Sequence, residues 1–115
     1  MTRKQAVELY TILRELKNGS MSKEGLTNYI LMRIKLKKVF DEFETARIEV
    51  SEQTRMDDID DWNKAFIPVM DKWLSEETEA VETAVLSQDD FIEMVTKNDL
   101  IGIIVDTLYL QLVKQ

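Results

Sequence analysis

Residues 29–50 read YILMRIKLKKVFDEFETARIEV, and this stretch decides the fold. Its apolar side chains recur at alternating steps of three and four residues, which is the spacing of a helix with a continuous apolar seam. The seam consists of Tyr29, Met32, Leu36, Val39, Phe43, Ala46 and Val50. A second apolar line passes through Leu26, Ile30, Ile34 and Phe40. No proline or turn cluster interrupts the pattern, and we therefore predict one long helix over residues 22–52.

A shorter helix is predicted before the long one, over residues 3–17. Thr2 and Gln5 have the spacing of a capping box at its start. Asn18-Gly19 is expected to end it, because glycine readily adopts the left-handed conformation that follows a helix C-cap. Since the connection is short, the two helices should form an antiparallel hairpin over residues 3–52.

The chain continues with a polar, acidic connection that we predict over residues 51–61. Asp60 or Asp61 is expected to cap a third helix that starts near Trp62. Pro68 lies inside this helix, and proline both lacks the backbone N–H and clashes with the preceding turn. We therefore predict that the third helix is kinked or split.

Residues 79–86 allow two interpretations. The alternation of Ala and Glu with Val and Thr suits a short strand, whereas Ala and Glu also suit a helix. We favour an extended segment, because Ser87 and Asp90 have the spacing of a new helix start.

The helix that follows should break at Lys97-Asn98. For residues 100–112 we favour a last helix over strand alternation. Its predicted inward-facing residues are Leu100, Ile101, Ile104, Leu108 and Leu112.

Together these patterns predict a single, mostly α domain over residues 1–115, which is an ordinary domain size. It starts with the antiparallel helical hairpin, whose second helix is long. A kinked third helix, a short β segment and a C-terminal helical pair follow, and the C-terminal helices lie within residues 62–114.

The composition argues against most catalytic chemistry. The 115 residues include no Cys and no His, so the usual general base near neutral pH and the ring-nitrogen ligands of most zinc sites are missing. We expect no cofactor, no metal and no catalytic residue. The net charge of -7 opposes binding to nucleic acid and to anionic membranes. No apolar run has the length of a membrane span or the pattern of a signal peptide, so we expect a cytoplasmic protein that is not an enzyme.

Carboxylates provide the one enzymatic alternative. Glu49 and Glu52 have a spacing that suits a shared metal ion. All-α nucleotide hydrolases bind magnesium through helix-borne carboxylates, and Glu76-Glu77 with Glu79 misses their Glu-Glu-x-x-Glu spacing by one position. A metal-dependent nucleotide hydrolase therefore stays an alternative. A small acidic regulator, or antitoxin-like partner of a basic protein, is a second alternative.

The basic block in the long helix consists of Arg33, Lys35, Lys37 and Lys38. A nucleic-acid surface would need more positive charge and stacking aromatic side chains. We expect ion pairs instead, between Lys37 and Asp41 and between Lys38 and Glu42, because each pair has i,i+4 spacing.

Several stretches together resemble one family. After the hairpin and the acidic connection, Trp62-Asn63-Lys64-Ala65-Phe66 leads into a helix, and Glu76-Glu77 precedes the alternating segment. The run from Leu86 to Phe91 then opens the final helices. This order is similar to that of small uncharacterised proteins encoded by tailed phages and prophages. The resemblance implies a hairpin, a short strand and a C-terminal helical pair, and a role in particle assembly. It brings no catalytic residues.

The leading hypothesis is a non-enzymatic interaction or assembly protein that binds a protein partner or a second copy of itself. A helix over residues 22–52 would be about 45 Å long, whereas a compact domain of this size is about 35 Å across. Part of its seam is therefore expected to contact another chain. Trp62 and Trp73, three helical turns apart, extend the expected surface to the third helix. The candidate contact residues are Tyr29, Met32, Leu36, Val39, Phe43, Val50, Trp62, Phe66, Met70 and Trp73.

Overall fold

A computed structural model describes all residues from Met1 to Gln115. It confirms a mostly α fold, with five helices and only isolated β-bridges. The helices are α1 (Arg3–Leu13), α2 (Lys23–Gln53), α3 (Ile59–Ser75), α4 (Gln88–Lys97) and α5 (Ile103–Leu112). The 31 residues of α2 give it a length of about 46 Å. None of the five helices combines the length and the apolarity that crossing a membrane requires.

The residues form two compact units. Unit 1 consists of Met1–Tyr10 and Leu36–Ala80, and unit 2 consists of Thr11–Lys35 and Val81–Gln115. Helices α1 and α2 each contribute residues to both units, whereas α3 belongs to unit 1 and α4 and α5 belong to unit 2.

A row of aromatic side chains holds unit 1 together. Neighbouring ring centroids lie 5.2 to 6.2 Å apart along the series Tyr10, Phe40, Phe43 and Trp73. The series starts on α1, crosses α2 and ends on α3, so it joins all three helical segments of the unit. The Arg3 guanidinium of α1 lies 4.2 Å from the centre of the Trp73 ring, which is a favourable cation–π distance.

The connection before α3 is shorter than the predicted 51–61, because α2 continues to Gln53. Its last residue, Asp58, caps α3. The Asp58 carboxylate accepts hydrogen bonds from the backbone N–H groups of Asp60 and Asp61 at 2.9 and 3.0 Å. The predicted cap at Asp60 or Asp61 is therefore wrong. Both residues lie in the first helical turn, where their charges interact favourably with the helix dipole.

Pro68 lies inside α3 without splitting it. The helix is continuous from Ile59 to Ser75, so the predicted alternative of a split helix is wrong. Pro68 cannot donate a hydrogen bond to the carbonyl oxygen of Lys64. Both residues are exposed, and water can therefore satisfy that oxygen.

In unit 2 the connection between α1 and α2 lies along α4. The Asn98 side chain accepts a hydrogen bond from the Lys17 backbone N–H and donates one to the Lys17 carbonyl oxygen, both at 2.7 Å. Farther along the connection, the Asp90 carboxylate accepts from the Ser22 backbone N–H at 2.7 Å and from the Ser22 hydroxyl at 2.6 Å. Asp90 of α4 and Asn98, the residue that follows α4, therefore hold this connection at two points.

This attachment explains why α1 ends at Leu13 instead of the predicted Lys17. The backbone groups of Lys17 that a helix would use bond to Asn98 instead. Gly19, which has a φ of 72°, allows the chain to approach α4 closely. A Cβ at this position would lie only 3.1 Å from the Glu93 carbonyl oxygen.

Asp90 is only 6% exposed and contacts the start of α2. Ser22 caps this helix, since its hydroxyl accepts from the Gly25 backbone N–H at 3.1 Å. A side chain at position 25 would collide with the Asp90 carboxylate, which explains the glycine.

Burial is the largest influence on the pKa of Asp90 and raises it. Hydrogen bonds from Ser22 and Ser87 and a nearby ammonium group outweigh it and hold the pKa of Asp90 below its ordinary value.

The segment predicted as extended over residues 79–86 is confirmed as non-helical. It forms no strand ladder. Thr2 and Glu77 form an isolated antiparallel bridge in unit 1, and Leu86 and Val113 form an isolated parallel bridge in unit 2.

The two C-terminal helices are confirmed, with a later start for the second. Helix α4 spans Gln88–Lys97 as predicted. Positive φ values of 50° at Asp99 and 70° at Gly102 hold the following residues in a turn, so α5 begins only after Gly102. Ile101 and Ile104, predicted to face inward, are 83% and 44% exposed. That part of the prediction is wrong.

Replacement of Asp90 by asparagine is expected to destabilise the protein in a pH-dependent way. A carboxyl whose pKa is lowered in the folded state stabilises the fold above its unfolded pKa, and this stabilisation is lost as the pH falls through the folded pKa. Asp90→Asn should lower the free energy of unfolding by about 1–2 kcal/mol at about pH 7, and by progressively less below about pH 4. Urea unfolding at several pH values measures this. Asp89→Asn, at an exposed position, is the control. If Asp90→Asn lowered the free energy of unfolding equally at every pH, a stabilising role of the ionised Asp90 carboxylate would be contradicted.

Removal of the α3 cap should lower the free energy of unfolding by less than Asp90→Asn does. Its effect comes from lost hydrogen bonds and not from lost packing. Asp58→Ala is expected to lower the free energy of unfolding by about 1 kcal/mol, because two backbone N–H groups lose their acceptor. The adjacent Asp57→Ala removes the same charge without removing the cap. Thermal unfolding of both variants measures the difference, and equal losses would show that charge matters here and the cap does not.

Candidate interaction surfaces

The apolar seam of α2, predicted as the main contact surface, lies in the core. Exposure is between 0% and 9% at Tyr29, Met32, Leu36, Val39 and Val50. Phe43 is half-buried and belongs to the aromatic row of unit 1. These side chains are packed within the chain itself and leave little surface for a partner. The structure therefore corrects their assignment as contact residues.

The predicted contact residues of α3 also pack within unit 1. Met70 is buried, and Trp62, Phe66 and Trp73 are half-buried. The Trp62 indole N–H donates to the Ser51 carbonyl oxygen at 3.1 Å, and Trp73 ends the aromatic row. These contacts favour the interpretation of this face as a packing surface.

The most exposed large apolar side chains lie on α5 and just before it. Ile101, Ile103 and Leu110 are 83%, 80% and 76% exposed. Ile103 and Leu110 are two helical turns apart and therefore lie on one side of α5. The opposite side carries Leu108 and Leu112, which are both fully buried. Ile101, Ile103 and Leu110 are called the α5 surface below.

The composition of α5 and the turn before it make this exposure unusual. The helix reads IIVDTLYLQL, in which seven of ten residues are apolar. A helix that is apolar on all sides is ordinarily buried, yet one side of α5 faces water. The preceding turn has Asp99 in the left-handed region, where a non-glycine residue is strained. This turn presents Ile101 to solvent.

A second exposed apolar surface lies on the first half of α2. Ile30, Leu31 and Ile34 are 44%, 54% and 61% exposed. Ile30 and Ile34 belong to the second apolar line predicted beside the seam, whereas Leu26 and Phe40 at the ends of that line are half-buried. Ile30, Leu31 and Ile34 are called the α2 surface below.

A cleft of about 320 Å³ borders the α2 surface at Leu31. Its lining residues, all in unit 2, are Asn28, Leu31, Met32, Lys35, Glu82, Val85 and Lys114. The volume is at the lower end of the range for small-ligand sites. Because the lining combines ammonium groups with a carboxylate, it favours neither an anionic nor a cationic ligand.

The sequences around the two surfaces carry opposite charges. Residues 25–38 of α2 contain four basic residues and no acidic one, whereas residues 98–113 contain Asp99 and Asp106 and no basic one. Within the basic block, Lys37 pairs with Asp41 at 2.8 Å as predicted. This hydrogen bond and the charge of Asp41 raise the pKa of Lys37.

The other predicted ion pair does not form, since Lys38 has no ion-pair partner and neither has Glu42. Lys35 and Asp106 are also without a partner within the chain. Their charges are therefore available to another molecule.

The carboxylates considered for a metal site are dispersed. No group of three or more is arranged to hold a metal ion. Glu76 pairs with Arg3 at 3.0 Å, and Glu77 pairs with the N-terminal amine at 3.2 Å. No observation on the structure favours the hydrolase alternative.

Comparisons with protein-family models, with curated proteins and with solved structures find no match for this chain. The function is therefore inferred from the α5 and α2 surfaces. Sequence reasoning found the apolar line of the α2 surface but missed the α5 surface. The available signal was the apolar character of α5 on all its sides.

Substitutions on the α5 surface are expected to leave the fold intact. Ile103→Ser and Leu110→Ser together should change the free energy of unfolding by less than about 1 kcal/mol, because these side chains bury little area in the chain. Leu108→Ala, on the opposite side of the same helix, should lower it by about 3 kcal/mol. Denaturant unfolding of dilute protein compares the two. A loss in the double variant as large as that of Leu108→Ala would show that the surface is part of the core.

Proposed function

We propose that this protein is a non-enzymatic interaction or assembly protein that binds another protein chain through the α5 surface. The observation that carries the proposal is the exposure of Ile101, Ile103 and Leu110, each more than three-quarters exposed. Burial of apolar area stabilises a complex by about 25 cal/mol per Å². Exposed apolar side chains that group on one side of a helix, as Ile103 and Leu110 do, are typical of protein-binding sites.

The packing of α5 supports this assignment. Leu108 and Leu112 already attach the helix to unit 2 through their fully buried side chains. The C-terminal end of the helix is fixed as well, since the Leu86 backbone N–H donates to the Leu112 carbonyl oxygen at 2.8 Å. The exposed side of α5 therefore has no evident role in folding, and binding gives it a role.

The proposal extends to the biological context that the sequence resemblance implies. Small phage and prophage proteins with this order of elements are expected to act in particle assembly. Assembly proteins use surfaces that are exposed in the free chain and become buried in the complex. The α5 surface is exposed in the free chain, as such a surface must be.

Site-specific photo-crosslinking tests the proposed function directly. A photo-reactive amino acid replaces Ile103 or Leu110, and the protein is irradiated in the cells or particles of its source. Because the side chain at each position would be buried against the partner, we expect an adduct of discrete mass that contains a second protein chain. Denaturing electrophoresis and mass spectrometry identify the adduct.

The matched control places the same amino acid at Lys64, an exposed position of α3 in unit 1. It should give no discrete adduct. If neither position 103 nor position 110 forms an adduct, the α5 surface does not bind a protein and the proposed function is wrong.

A further inference from the structure

The two exposed apolar surfaces have complementary charges. The α2 surface lies within residues 25–40, the longest stretch of the chain without an acidic residue. Lys35 follows Leu31 by one helical turn, and Lys23 precedes Ile30 by two turns, so an exposed ammonium group lies toward each end of the apolar group. The α5 surface carries Asp106 between Ile103 and Leu110.

The apolar residues of the two surfaces also have compatible spacings. Ile103 and Leu110 are separated by about 10 Å along α5, and Ile30 and Ile34 by about 6 Å along α2. The two side chains of α5 can therefore bracket the apolar group of α2 when the helices pack side by side. Asp106, between them, then lies over the apolar group of α2. Lys35 is one residue beyond Ile34 and is within reach of Asp106, whereas Lys23 lies about 10 Å before Ile30 along the helix.

We infer that the α5 surface of one copy of this chain binds the α2 surface of a second copy. The inference rests on the proposed function and names the partner as the chain itself. Burial of both apolar groups supplies the attraction, and the pairing of Asp106 with Lys35 supplies the specificity. A net charge of -7 on each copy opposes most other ways of bringing two copies together.

The contact joins two different surfaces. If the two copies exchange it reciprocally, both α5 surfaces are buried in a closed dimer. If they do not, each copy leaves one surface free and a longer assembly grows. Either arrangement has a mass of at least twice the 13.5 kDa of one chain.

Charge reversal provides the test. The first variant is Asp106→Lys, in which both surfaces become basic. The second is Lys35→Glu, in which an acidic side chain lies beside the apolar group of the α2 surface, as Asp106 does on the α5 surface. Sedimentation equilibrium over a range of concentrations should show association of the unaltered protein and an association constant at least about tenfold lower for each variant alone, since like charges then meet. An equimolar mixture of the two variants should associate again, because a basic surface then meets an acidic one.

Two controls change the charge elsewhere by the same amount. They are Asp71→Lys and Lys64→Glu, which replace exposed residues of α3 in unit 1. Both variants should associate like the unaltered protein. Circular dichroism of every variant checks that the helices are retained. Recovery in the mixture cannot arise from misfolding of either variant.

The outcomes separate this inference from the proposed function. A monomer at every concentration, or a mixture that associates no better than its components, overturns the contact between copies. If the crosslinks at positions 103 and 110 then contain a different protein, the proposed function stands with another partner. If those positions form no crosslinks, the proposed function fails as well.

Discussion

The attachment of the α1–α2 connection to α4 is the constraint on which the arrangement of unit 2 depends. Asn98, at the C-cap of α4, bonds to backbone groups of Lys17, and Asp90 of α4 bonds to the Ser22 backbone N–H. Hydrogen bonds of this kind contribute about 0.5–1.5 kcal/mol each, and together they fix where α1 ends and where α2 begins. Because Ser22 caps α2, the same bonds also fix the rotation of the helix at its start. Tyr29, two turns later, is then buried, and the adjacent Ile30 is exposed.

Local sequence signals predicted the helix starts that depend on neighbouring residues. Thr2 and Gln5 form the expected capping box, with hydrogen bonds of 2.9 and 3.1 Å. The Ser87 hydroxyl accepts from the Asp90 backbone N–H at 3.2 Å, as its spacing indicated. In each case the groups that bond are three residues apart, so the sequence contains the whole interaction.

The differences from prediction arise where the deciding residue is distant or where neighbours are chemically equivalent. The end of α1 depends on Asn98, which is 81 positions away from Lys17, and no local pattern contains that pair. At the start of α3 several aspartates follow one another, and each of them could have served as the cap. Asp58 is selected by the backbone conformation, with φ -80° and ψ 127°.

The exposed surfaces show a further reason why a site can escape prediction. Helical periodicity in α2 revealed two apolar lines but could not indicate which one the fold buries. In α5, apolar residues surround the helix, so periodicity gave no direction at all. Only the packing of Leu108 and Leu112 determines that Ile103 and Leu110 remain in water.

An exposed apolar helix side promotes nonspecific association, and the charge distribution limits which contacts are favourable. The net charge of -7 makes two copies repel each other in most orientations. A contact between two α5 surfaces would also bring the carboxylates of Asp99 and Asp106 together. The α2 surface differs because it lies in the one long stretch without acidic residues, and Lys35 there has no partner within the chain. The charge pattern therefore disfavours contacts between identical surfaces and leaves a basic apolar surface as the favourable partner for α5.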